Sequence, residues 1–271
     1  MPGAPPRLHG VRAHLIVPAL GIITAVGLLV TASPGAGAAE PSPTAPPGDY
    51  RTALIARLAK EWRDPALAAE IVSGLDPGLL ASLEGRVPLA EVATSPFLTY
   101  RPERRPAKVF DSVIVYAFGY HDAPDGGRDP GPVNEALAAA TRTLLAKRSL
   151  PVFAQTEIAK ILVAQGVPRV TSIDPVVGPD GTIQYLSTAG VAAQVKAKAA
   201  AAGTDLGAVA VVAFSDHAGR SALTTKAAGL DAALAKGMKL PADYDSASAQ
   251  SWTRDRRSYL ATDLLARVAT L

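Results

Sequence analysis

The sequence predicts a three-layer α/β fold: a Rossmann-like, doubly wound, mostly parallel sheet with an N-terminal helical extension. Three observations predict it. Apolar residues make up 48% of the 271-residue chain and charged residues only 19%, a composition that buries a core. Val109 to Phe118 is a continuous apolar run rich in β-branched and aromatic residues, the pattern of a strand covered on both faces. Further short apolar runs then alternate with helical patterns of ten or more residues, as in successive βαβ units.

The elements follow in chain order. Residues 1–39 read as an export signal: Arg7 and Arg12 stand in a segment with no acid, an apolar run extends from Leu15 to Val30, and small residues surround Ala36 to Ala39. That run is sixteen residues broken by Pro18, short of the about 20 a spanning helix needs, which favours cleavage after Ala38 or Ala39 over an uncleaved anchor. Residues 40–49 are a Pro/Ser/Thr-rich tether. Residues 50–94 are Ala/Leu-rich and helical, and Asp64-Pro65 and Asp76-Pro77 each set an N-capping carboxylate before a proline at the first helical position. The α/β domain spans 107–271. Beyond the first strand, strands are expected near Val152 to Ala154, Arg169 to Ile173 and Val209 to Phe214. Helices are expected near Val133 to Lys147, Thr156 to Gln165, Thr188 to Ala202 and Ala218 to Ala228, with a last amphipathic helix from Thr253 to Val268.

Charge and composition narrow the function. Of 27 basic residues, Arg7 and Arg12 leave with the signal; set against 24 acidic residues, the remainder carries +1, which argues against a nucleic-acid partner. There is no cysteine, hence no disulfide, thiolate nucleophile or cysteine-held metal. No P-loop, G-x-G-x-x-G or G-x-S-x-G pattern occurs, which removes support for nucleotide hydrolysis, dinucleotide chemistry and an α/β-hydrolase nucleophile.

In an open parallel sheet ligands bind beyond the carboxyl ends of the strands, at the point where strand order reverses. The first strand runs into Gly119-Tyr120-His121-Asp122, the second into Gln155-Thr156-Glu157, and the fourth into Ser215-Asp216-His217-Ala218-Gly219-Arg220. If the first and fourth strands are neighbours, His121, Asp122, Asp216 and His217 converge on one crevice as candidate catalytic residues. His217 would act as general acid/base, with Asp216 or Asp122 orienting it. Gly119, Tyr120, Gln155, Thr156, Glu157, Ser215 and Arg220 are the candidate ligand-binding residues. Arg220 in the first helical turn opposes the helix dipole unless an anion joins it. Plainer readings stand beside these: Asp216 and Thr156 as N-caps, Arg220 paired with Asp216 or reaching into solvent, and Arg254 to Arg257 as the solvated face of the last helix. The same two histidines and carboxylates are also the donor set of a two-His, carboxylate metal site, the less favoured reading because no close ligand spacing supports it, and the sequence leaves the cofactor unknown.

Asp111 to Gly119, Gly166-Val167-Pro168, and above all Ala213-Phe-Ser-Asp-His217-Ala-Gly-Arg220 followed by Gly229-Leu230, resemble the YdcF-like domain family of unknown function, which includes the SanA and ElyC envelope proteins. The likeness covers about Val109 to Leu271. It implies a Rossmann-like sheet with a pocket at the strand ends and, for an exported member, a role in envelope or cell-wall biogenesis. It also implies that Gly119, Glu157, His217 and Arg220 occupy the family's motif positions. The family's Gly-Gly after the second strand is here Gln155-Thr156, and its polar segment after the third strand survives only as Gly181 to Tyr185. The expectation is an extracytoplasmic protein that binds, or binds and processes, a small anionic or glycan-derived ligand. The alternative is a non-catalytic envelope scaffold using the N-terminal helices as its partner surface, with membrane contact only through an uncleaved N-terminal segment.

Overall fold

Every residue of the strand Ser112–Val115 is buried, and its side chains alternate between two cores. Val113 and Val115 face one core and Ile114 the other, as a strand covered on both sides requires. The computed structural model describes residues 47–124, 127–146, 148–179 and 183–269, and side chains from Tyr50 onward. The predicted export signal and residues 40–46 of the tether lie outside the described residues, as do Gly181 and Thr182 of the family segment.

Six parallel strands form the central sheet. In chain order they are β1 (Arg104–Arg105), β2 (Ser112–Val115), β5 (Val152–Gln155), β6 (Val170–Ile173), β9 (Ala208–Val212) and β10 (Asp231–Ala235). Two short antiparallel ribbons, β3 (His121–Asp122) with β4 (Arg128–Asp129) and β7 (Val176–Val177) with β8 (Ile183–Gln184), decorate the loops. Across the sheet the order is β1-β10-β9-β2-β5-β6. From β2 the chain winds outward through β5 to β6, crosses back to β9 on the other side of β2, and continues to β10. The order therefore reverses between β2 and β9, which pair directly, Val113 opposite Ala210 and Val115 opposite Val212. The chain thus has the three-layer, Rossmann-like α/β fold.

Helices α5 (Gly131–Leu145) and α6 (Thr156–Ala164) cover one face through Leu137, Ala138, Ile158 and Leu162, and α7 (Thr188–Ala201) and α8 (Ala218–Ala227) cover the other through Val191, Val195 and Ala222. The N-terminal helices are α1 (Pro47–Trp62), α2 (Pro65–Ser73), α3 (Pro77–Arg86) and α4 (Pro96–Thr99). Helix α1 starts inside the stretch predicted to be tether. Tyr50, Leu54, Leu58, Val72 and Leu98 share one apolar cluster with Leu260 and Leu264 of the last helix, α9 (Arg256–Ala269). The extension is therefore continuous with the core on the α5/α6 side, and residues 45–271 cluster as one unit. Asp64 and Asp76 cap α2 and α3 as predicted, accepting from the Leu67 and Gly78 amides at 3.0 and 2.8 Å.

Two other caps are not formed. Thr156 turns its hydroxyl to Asp174 Oδ1 at 2.8 Å instead of capping α6, and Asp216 leaves the cap position of α8 to His217. The sequence reading also lacks β10: its Asp-Ala-Ala-Leu-Ala run is made mostly of strong helix formers, and only burial between β9 and β1 makes it a strand.

Candidate functional site

The turn after β2 is held by a fully buried asparagine. Asn134 of α5 accepts from the Phe118 amide at 2.9 Å and donates to the carbonyls of Gly119 at 2.8 Å and Pro130 at 2.6 Å. Gly119 has φ 73°, and a Cβ there would lie 2.6 Å from Ser248 Oγ and 2.8 Å from Thr253 Oγ1. Glycine is thus required both for the backbone conformation and for space.

Across the switch point, the start of α8 sends its side chains to opposite flanks. His217 and Arg220, three residues apart and so on one face of the helix, line a cavity of about 200 Å³ together with Gly119, Gln155, Tyr185, Thr188 and Tyr259. Ser215, Asp216 and Gly219 line a separate cavity of about 500 Å³ on the other flank. The predicted ligand edge is therefore split by the first turn of α8.

Electrostatics in the smaller cavity centre on a carboxylate far along the chain. Asp263 of α9, 1% exposed, accepts from Arg220 Nε through Oδ1 and from Arg267 Nε at 2.6 Å through Oδ2. Burial acts to raise the Asp263 pKa, but Arg267 and Arg220 outweigh it and hold the carboxyl below its ordinary value. Arg220 loses by burial and gains more from Tyr259 and Asp263, so its guanidinium is held in the charged form. Arg220 and Arg267 thus share one buried carboxylate. Arg220 also donates to Thr188 Oγ1 at 2.9 Å and to Tyr259 Oη at 3.4 Å. A guanidinium carries five N–H donors, so two are left for the cavity.

His217 is 7% exposed, and burial first, then the Arg220 charge, push its pKa down to about 3. It is a neutral imidazole near pH 7, with Nδ1 2.7 Å from the Tyr259 hydroxyl. Burial also keeps Tyr259 protonated, by raising its pKa above the ordinary tyrosine value. Its single proton has two acceptors, His217 Nδ1 at 2.7 Å and Asp263 Oδ1 at 3.3 Å. Donation along the shorter contact places the imidazole proton on Nε2, an atom without a hydrogen-bond partner among the described residues, whereas donation to Asp263 places it on Nδ1. Gln155 accepts from the Ala117 amide at 2.9 Å, and its own amide N–H groups are likewise without a partner among the described residues. The cavity therefore presents donors from Arg220, Gln155 and His217, the complement of an oxyanion.

The remaining sequence candidates lie elsewhere. His121 and Asp122 form the strand β3 facing β4, and His121 Nε2 pairs with Asp245 Oδ2 at 2.6 Å, not with the β9 loop. Asp216 accepts from Tyr244 Oη at 2.8 Å and Arg256 Nε at 3.0 Å. The expected convergence of His121, Asp122 and Asp216 on His217 thus gives way to separate partners: α8 turns Asp216 away from its neighbour, and the β3/β4 ribbon carries the other pair off the strand end. Arg220 pairs with Asp263, not Asp216. Glu157, 4% exposed, accepts from the Tyr185 hydroxyl; Tyr185 stacks on Tyr120 with centroids 5.4 Å apart, and the Arg128 guanidinium sits 4.2 and 4.5 Å from the two ring centroids. Glu157 and Tyr120 therefore act through Tyr185 on the cavity wall. Arg254, Asp255 and Arg257 are exposed, as a solvated face requires, while Arg254 donates to the Ser248 carbonyl, the half-buried Arg256 to Asp216, and Arg257 to Glu70.

No protein-family model, curated protein or solved structure matches this chain.

Sequence reasoning missed Tyr259, Asp263 and Arg267. Their spacing of four places all three on one face of α9, and a polar stripe on the buried side of an amphipathic helix was the available signal. Among the described residues no group of three or more His, Asp or Glu side chains could hold a metal ion, and no single helix is long and apolar enough to cross a membrane.

Proposed function

We propose that this chain is an exported, envelope-associated protein of the YdcF-like type that binds a small anionic or glycan-derived ligand in the His217/Arg220 cavity. The observation that carries the reading is the set of unsatisfied donors on Arg220, Gln155 and His217 beside the charged Arg220 guanidinium, at the point where strand order reverses. The volume of about 200 Å³ is below the about 300–1,000 Å³ of pockets that enclose a drug-sized ligand. It suits an anionic end group, a carboxylate or a phosphate, with the rest of the ligand outside.

A binding role is favoured over proton transfer. An imidazole with a pKa near 3 is a weak base at neutral pH, and of the carboxylates first assigned to orient it Asp216 is engaged with Tyr244 and Arg256 while Asp122 is exposed on the β3/β4 ribbon. A neutral His217 serves instead as a hydrogen-bond donor. The scaffold alternative, with α1 to α4 as the partner surface, predicts no small ligand at all.

Thermal stability of the full chain is the test, measured against carboxylates, sugar phosphates and wall-precursor fragments. A ligand at 100 times its dissociation constant adds about 2.7 kcal/mol. A gain that is lost in His217→Phe and Arg220→Lys supports the cavity; no gain with any compound favours the scaffold.

A further inference from the structure

The cavity of about 500 Å³ on the opposite flank of α8 is built from parts far apart in the sequence: the end of α1, the segment before β1, the loop after β9, and α9. Five guanidiniums line it, from Arg63, Arg101, Arg104, Arg256 and Arg267, against two lining carboxylates, Glu61 and Asp216. Three of the five have a carboxylate: Arg256 has Asp216 at 3.0 Å, Arg267 has Asp263 at 2.6 Å, and Arg101 has Glu61 at 3.7 Å. Arg63 and Arg104 have no side-chain hydrogen bond or ion pair among the described residues.

A further observation falls on the same cavity. Arg63 closes α1 with φ 54°, a left-handed conformation that glycine adopts with less strain, so the position keeps a long cation where the turn favours none. Unpaired like charges facing one volume, with a strained backbone holding one of them, suit a bound oxyanion.

We infer that this second cavity binds a small phosphate-bearing ligand, with Arg63 and Arg104 supplying its two counter-charges. Two unpaired guanidiniums match a dianionic group, and planar N–H forks suit phosphate oxygens. The volume admits a whole small molecule rather than an end group. The His217 cavity lies on the other side of α8, and Arg267, which lines this one, meets Arg220 of that one at Asp263.

The test is calorimetric titration of the full chain with inorganic phosphate, pyrophosphate and a sugar 1-phosphate at constant ionic strength, with sodium chloride as the control. Variants Arg63→Gly, Arg104→Gln and Arg220→Lys are titrated alongside. Arg63→Gly relaxes the turn, so the variant unfolds no earlier than the parent and a loss of binding there is not a loss of fold. Saturable binding weakened at least tenfold in Arg63→Gly and in Arg104→Gln, and kept in Arg220→Lys, is the expected result. The relative affinity for pyrophosphate and the sugar 1-phosphate then distinguishes a free inorganic anion from a sugar-linked one. Equal binding in parent, Arg63→Gly and Arg104→Gln overturns the inference, as does loss confined to Arg220→Lys, which assigns the anion to the other cavity. Absence of binding to all three phosphates also overturns it.

Discussion

His217 Nδ1 and the Tyr259 hydroxyl lie 2.7 Å apart, although 42 residues separate them, and this contact joins the loop after β9 to the last helix. It also fixes what His217 is able to do. A buried imidazole whose Nδ1 accepts from a protonated tyrosine carries its proton on Nε2, and an Arg220 charge nearby opposes a second proton.

Stability should therefore depend on pH through His217. The unfolded chain protonates this imidazole near 6.5, whereas the folded chain does so only near about 3, so the unfolded state binds more protons between those values. The stabilisation from burying a neutral ring is complete above pH 6.5 and is lost as pH falls toward 3, at up to about 1.4 kcal/mol per pH unit. Urea unfolding of the parent and of His217→Phe between pH 5 and 7 should show a shallower slope in the variant. Equal slopes would mean that His217 titrates normally in the folded chain.

Replacing Tyr259 by Phe tests the tautomer. Without the hydroxyl proton, Nδ1 has no donor opposite it, and nitrogen chemical shifts of His217 should move away from the pure Nε2–H pattern of the parent. A parent spectrum already showing Nδ1–H would reverse the direction of the Tyr259 bond and make Nε2 an acceptor, restoring a base to the cavity.

Asp263→Asn should be among the most damaging single changes. It removes the buried carboxylate that Arg220 and Arg267 share, an expected cost of about 3–5 kcal/mol in chemical denaturation. Asp263→Asn with Arg267→Met, which removes one of the two charges, should recover part of that loss. A cost below 1 kcal/mol for the single change would show that solvent reaches and screens the cluster.

The sheet was legible because its strands advertise themselves: Ser112–Val115, Val152–Gln155 and Ala208–Val212 are apolar throughout or nearly so, and the helices between them have their own period. The convergence of the two strand ends was conditional on β2 and β9 being neighbours, and they pair directly. The edge was less legible. Arg104–Arg105 is too short and too charged to signal a strand, and it pairs with β10 through backbone groups that side-chain pattern does not report. The site was half legible for a related reason. Residues that follow a strand, such as Gly119, Gln155, His217 and Arg220, reach the cavity by topology. Which way each side chain turns depends on the first turn of α8, and the counter-ion of Arg220 comes from a helix 43 residues on. Nearness in sequence proposed Asp216 for that role, and the helix geometry gave it to Asp263.

Gly119→Ala tests whether the turn after β2 holds the cavity in shape. Alanine at φ 73° costs about 1–2 kcal/mol from the backbone alone, and its methyl group would press on Ser248 Oγ and Thr253 Oγ1, which bond each other at 2.8 Å. A domain of this size loses about 2–4 °C per kcal/mol, so thermal unfolding should begin several degrees earlier. Adding Ser248→Ala removes the nearer oxygen and should return only the steric part, because the positive φ persists and Thr253 still lies within 2.8 Å of the new carbon. If Gly119→Ala is as stable as the parent, the backbone has left the left-handed region, and the Gly119 carbonyl no longer meets Asn134. In that case any anion bound by Arg220 and Gln155 across the switch point should bind more weakly, since Gly119 and Gln155 line the same cavity wall.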